Sequence, residues 1–179
     1  MKPLKEFTIP FVGLKIGKHR FEYKIDKTFF EYYEYEDFND VNVNIDLLLE
    51  KKSTLLELHF KISGTVNVNC DVTNEPYDQS IENEFDLVVK FGDAYNDEYV
   101  DILIVPHGTY EVNIQQYIYE LIVLSVPTKR VHPGIEDGTL KSDILEKLDA
   151  LSPKLKDKKE KEEDIDPRWN TLKKLLTDK

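Results

Sequence analysis

The chain has 179 residues, of which 40% are apolar and 33% charged, and its net charge is −11. No uninterrupted apolar run approaches the roughly 18 residues of a membrane-spanning helix. A single cysteine excludes an internal disulfide and a multi-thiolate metal centre, and ten Tyr with nine Phe exclude a wholly disordered chain.

The opening residues, MKPLKEFTIPF, lack the apolar core of a signal peptide, so a cytoplasmic protein with no membrane partner is expected. Residues 1–137 carry 13 basic and 25 acidic side chains, a balance of −12. Residues 138–179 carry 11 and 10, a balance of +1. An acidic body argues against a surface that coats phosphates, because nucleic-acid affinity rests largely on Lys and Arg. No DNA partner is expected.

In chain order, Phe21, Tyr23 and Ile25 alternate with charged residues and predict a half-buried strand. Asp26 is a candidate N-cap for a short helix over 28–33. A long alternation follows at Val41, Val43, Ile45, Leu47 and Leu49, then a turn at 51–53. The pattern resumes with Leu56, Leu58, Phe60 and Ile62. After a break or bulge at Ser63-Gly64 it continues through Val66, Val68, Cys70 and Val72. Cys70 therefore reads as a small buried strand residue. Asn74-Glu75-Pro76 predicts a turn, and Ile81, Phe85, Leu87, Val89 and Phe91 another strand. Residues 92–99, GDAYNDEY, read as a solvated acidic loop, since the calcium-loop pattern is absent. Residues 100–105 read as a final strand.

The period then lengthens. Ile114, Tyr117, Ile118, Leu121, Ile122 and Leu124 are spaced for a helix over about 113–125, with Asn113 as N-cap and Pro127 beyond its end. The expected fold class is α+β: a predominantly antiparallel sheet or partly closed barrel with one packed helix. Domain boundaries are expected at 1–132 for the sheet domain and 133–165 for a partly helical to disordered charged linker. A short C-terminal helix should occupy 166–179. Leu140, Ile144, Leu145, Leu148 and Leu151 form an amphipathic stripe within the linker region. Asp166 at the N-cap and Pro167 at the first helical position start the last helix, whose Trp169, Leu172 and Leu176 share a face.

Catalytic motifs do not emerge. There is no phosphate loop, dinucleotide fingerprint or nucleophile elbow. The four histidines, at 19, 59, 107 and 132, are dispersed without metal-binding spacing. No metal, cofactor or enzymatic activity is expected.

Three segments together resemble the YceD family, the large ribosomal RNA subunit accumulation proteins. The first is GTVNVNCDVT at 64–73, bearing Gly64 and Cys70. The second is EVNIQQYIYELIVLSVP at 111–127, ending in Pro127 and followed by Val131-His132-Pro133. The third is the Asp166-Pro167-Arg168-Trp169 segment. One departure stands out: where the family shows Cys-x-x-Cys, the second cysteine is Thr73. One thiolate and one hydroxyl make a poor zinc site.

The resemblance implies a bacterial factor that supports 23S ribosomal RNA synthesis, processing or accumulation. The expected partner is a ribosomal or RNA-processing protein, engaged through Arg168, Trp169, Leu172 and Leu176. The alternative is direct ribosomal RNA binding through a local basic patch at Lys129, Arg130 and His132. A nuclease is a third, weaker reading.

Overall fold

The computed structural model describes residues 4–140 and 142–152. Strand β1 (Thr8–Ile9) follows a single 3-10 turn at Lys5–Phe7. Then come β2 (Gly17–Asp26), α1 (Lys27–Glu31), β3 (Asp40–Lys51), β4 (Leu55–Asn69), β5 (Pro76–Gly92), β6 (Ile102–Pro106), β7 (Val112–Asn113) and α2 (Gln115–Ser125). α3 (Pro133–Glu136) closes the first of two units, which ends at Leu140. The second unit contains α4 (Asp143–Leu151), whose N-cap Ser142 accepts a hydrogen bond from the Ile144 amide at 3.4 Å.

The main sheet has the order β2-β3-β4-β5-β6 and is an open α+β sheet, not a closed barrel. Its first four strands form the expected antiparallel meander, in registers such as Tyr23↔Ile45, Ile45↔Ile62 and Leu58↔Leu87. The register keeps the apolar positions of all four strands on one face, as the period of two requires. Val43, Ile45, Leu47, Leu49, Phe60, Ile62 and Leu87 are each at most 1% exposed. Burial of each such side chain contributes roughly 1.5–3 kcal/mol.

β6 departs from the meander. It runs parallel to β5, pairing Val89 with Leu103 and Phe91 with Val105. The excursion through 93–101 makes this possible, because a parallel neighbour needs a crossover rather than a tight hairpin. Asn96 in that excursion forms an antiparallel bridge with Ile104, so the acidic loop is tied to the sheet edge.

Ser63-Gly64 is not a break: β4 runs through it. Gly64 lies opposite Val43, and a Cβ there would fall 2.2 Å from the Asn42 carbonyl oxygen. The glycine allows close strand approach.

α2 covers the apolar face. Ile118, Leu121 and Ile122 enter the same core as Leu87 and Val89, and the Tyr117 ring stacks on Phe85 with centroids 6.3 Å apart. The N-cap position falls on Ile114, one residue later than expected, and Asn113 stays in β7, where its Oδ1 accepts the Gln115 amide at 3.0 Å. The end is as expected, because Pro127 disfavours helical geometry at Val126, whose ψ is 130°. An aromatic cluster joins Phe30, Phe38, Tyr33 and Tyr35 to Tyr119, with Tyr33 and Tyr119 stacked at 4.2 Å. Asp26 caps α1 through the Thr28 amide at 2.9 Å, as its sequence position predicts.

Candidate functional site

Two regions of the first unit concentrate unusual chemistry. One is the corner where β4 ends. Cys70 is buried but lies one residue beyond the strand, and Val72 belongs to the following turn. This corrects the expectation of a cysteine in mid-strand. The chain reverses because the Asn74 amide donates to the Cys70 carbonyl at 2.8 Å, while the Cys70 amide donates to Glu75 at 2.9 Å. Asn74 takes φ 59°, a left-handed conformation that asparagine tolerates.

Inside this turn the sulfur is an acceptor. The amides of Val72 and His132 point at Sγ from 3.4 and 3.3 Å. Burial pushes the thiol up, but the Thr73 hydroxyl and the backbone amides of His132, Thr73 and Val72 favour the thiolate and carry the net shift below the ordinary value. The corner thereby clasps the chain that leaves α2. The Asp71 amide donates to the Arg130 carbonyl at 2.8 Å, and the Arg130 amide donates to Asp71 Oδ2 at 2.7 Å. The Arg130 guanidinium lies 3.4 Å from the same carboxylate. His132 Nδ1 accepts the Gly134 amide at 2.9 Å, and its ring lies against Tyr77 at 5.4 Å.

The structure therefore gathers Cys70, Arg130 and His132 into one corner. Lys129 is exposed beside them, and Pro127 stands at the end of α2. Gly64 sits apart, on the strand pair that leads to the corner. Asp166, Pro167, Arg168, Trp169, Leu172 and Leu176 lie outside the described residues.

The donor set does not fit a metal. Thr73 supplies a hydroxyl in place of a second thiolate, and His132 Nδ1 is already engaged. Among the described residues no group of three or more His, Cys, Asp and Glu is arranged to hold an ion. With Cys70 2% exposed, the sulfur is also closed to a substrate.

The second region is a groove of about 650 Å³ between α2, β6 and the 93–101 loop. Leu103, Val105 and Phe85 supply apolar lining, with Leu121 and Leu124 from the helix and Tyr95, Tyr99 and Val100 from the loop. Its lining includes Glu84, Asp97, Glu98, Glu111 and Glu120, and among the described residues no Lys, Arg or His. Burial pushes the Tyr117 phenol up to about 12, helped by the neighbouring Tyr95, Asp97 and Glu120, so it stays neutral. The groove is not legible in the sequence, where residues 92–99 read as a solvated acidic loop.

The sheet's polar face contrasts with it. There Arg20 meets Asp46, Lys18 meets Glu50, Lys61 meets Glu82 and Glu84, and His59 Nδ1 lies 2.5 Å from Asp86. Exposed pairs of this kind add little stability, but they balance charge locally.

The family profile described as "Large ribosomal RNA subunit accumulation protein YceD" matches residues 58–176, about two thirds of the chain. The chain belongs to the YceD family. The matched region contains the Cys70 corner, α2 and the groove, and it runs on through the Asp166–Leu176 segment. No curated protein and no solved structure matches the chain. The YceD description ties the protein to accumulation of large-subunit ribosomal RNA. No helix among the described residues is long and apolar enough to cross a membrane.

Proposed function

We propose that this YceD protein is a non-enzymatic, cytoplasmic factor that supports 23S ribosomal RNA accumulation by binding a basic ribosomal or RNA-processing protein. The observation that carries this reading is the placement of charge. On the polar sheet face Lys18, Arg20 and Lys61 each lie against a carboxylate, whereas the described lining of the groove beside α2 holds carboxylates and no cation. Such a field attracts a cationic partner and repels phosphate.

Direct RNA binding through Lys129, Arg130 and His132 is the weaker alternative. Arg130 is already paired with Asp71, and the His132 ring faces Tyr77, which leaves Lys129 as the exposed cation of that trio. A nuclease has less support still, because the Cys70 corner offers neither an open nucleophile nor a metal-binding set. Arg168, Trp169, Leu172 and Leu176 remain proposed as a second set of partner anchors, since Trp and Arg dominate binding energy in many interfaces.

Cross-linking mass spectrometry of the tagged full-length protein in cells tests the reading. The expected result is cross-links to a ribosomal or RNA-processing protein. Cross-links to ribosomal RNA through residues 129–132 without a protein partner would replace this function with the RNA-binding one.

A further inference from the structure

The groove has three walls of different origin. α2 presents Tyr117, Glu120, Leu121 and Leu124 along one side. β6 lines it with Leu103 and Val105. The 93–101 loop, held by the Asn96–Ile104 bridge, adds Tyr95, Asp97, Glu98, Tyr99 and Val100. Apolar groups at its rim stand in water: Leu124 is 79% exposed, Val100 81% and Tyr99 57%. Exposed apolar clusters rimmed by polar groups mark interaction sites. The volume of about 650 Å³ lies within the range of ligand-binding clefts.

Charge selects the occupant. Glu84 is paired with Lys61 at 2.9 Å. Asp97, Glu98, Glu111 and Glu120 form no ion pair among the described residues. Four unmatched carboxylates around an apolar floor suit a segment that carries both cations and aliphatic side chains. They repel a phosphate backbone. A second copy would bring another body of charge −12 against the first. Residues 138–179, with a balance of +1, leave that charge largely unmatched, whereas a basic protein would neutralise it.

We propose that the groove between α2, β6 and the 93–101 loop is the docking site for a basic amphipathic segment of a partner protein. Its apolar side chains lie on Leu103, Val105 and Leu124, and its Lys or Arg residues reach Asp97, Glu98, Glu111 and Glu120. The inference rests on the protein-binding reading above and gives it a place on the molecule.

Two arms test it on the full chain. In cells, p-benzoylphenylalanine is placed at position 124 in the groove or at position 24 on the polar sheet face. In vitro, a synthetic amphipathic Leu/Lys peptide and its Leu/Glu counterpart are titrated and followed by amide chemical shifts. Position 124 should capture a Lys/Arg-rich segment of another protein, and position 24 should not. The Leu/Lys peptide should shift α2 and residues 95–105, while the Leu/Glu peptide should not bind. Leu124→Asp or Glu120→Lys should weaken the Leu/Lys peptide about tenfold or more, as for an interface anchor. Glu22→Lys, an equal charge change on the polar face, should alter binding less than about twofold, since rim and remote charges contribute little.

Capture at 124 of residues 153–179 of the same chain, of a second copy, of RNA or of nothing overturns the proposal. So does equal peptide binding by all three variants. Capture of a basic protein at position 24 alone removes the groove but leaves the partner-binding function standing. No protein captured at either position removes both.

Discussion

At the scale of single residues, the Cys70 corner shows what replaces a second thiol. Sγ is surrounded by donors, so the ionised form is favoured in the folded state relative to an unfolded chain. Because the folded value is depressed, the unfolded state binds more protons in the interval just below the ordinary thiol value of 9.0. Stability contributed by this group is therefore fully present above the unfolded value and is lost as pH falls through the folded one. Thr73→Val removes the hydroxyl and should raise the thiol pKa, read by thiolate absorbance. It should also flatten the rise of stability with pH across that interval. An unchanged titration would mean that the backbone amides alone set the thiolate. Gly64 makes a steric prediction at the same scale. Gly64→Ala puts a methyl group into the Asn42 carbonyl and should cost about 3 kcal/mol in urea unfolding, near the upper end for overpacking.

At the scale of elements, a lysine ties the N-terminal segment to the sheet. Lys51, near the end of β3, donates through Nζ to the carbonyls of Phe11 at 2.8 Å, Val12 at 3.3 Å and Leu14 at 2.8 Å. Those carbonyls lie beyond β1, which itself pairs with β7 and so connects to the start of α2. Lys51→Met keeps the aliphatic stem and removes the cation. It should cost about 1–2 kcal/mol, the scale of hydrogen bonds to a charged group that is partly exposed. Faster amide exchange should be confined to residues 9–15 and 112–114. Uniformly faster exchange would show that Lys51 acts on the whole sheet instead.

The elements also explain what could be read from the chain. β2 to β5 were legible because one face is buried and the other wet, so each apolar residue marks the pleat. α2 was legible from its change of period, and α1 from Asp26. The direction of β6 was not, since a five-residue apolar run reads the same either way along. The β1–β7 pair escaped for another reason: Thr8 and Asn113 meet across 105 positions, and two-residue strands carry no pattern. Cys70 was placed in line with Val66 and Val68 because alternation continues one step past the last ladder pair. Its Sγ contacts depend on His132, which only the folded chain brings near. The groove was hidden for the same reason. Tyr99 and Val100 look like ordinary loop residues until the fold places them with Leu124 in the lining of one groove.

At the scale of the whole molecule, the net charge of −11 is a statement about placement. On the polar sheet face Arg20 and Lys61 are paired with carboxylates, while Asp97, Glu98, Glu111 and Glu120 of the groove beside α2 form no ion pair among the described residues. For a YceD protein linked to accumulation of large-subunit ribosomal RNA, the proposed contact is therefore with a basic protein and not with the RNA. The most direct test is the ratio of 23S to 16S ribosomal RNA in a strain deleted for the protein and complemented with variants at equal level and equal melting temperature. The account predicts that the wild type and Glu22→Lys restore the ratio, and that Glu120→Lys combined with Leu124→Asp leaves it at the deletion level. Full restoration by the groove double variant would contradict it.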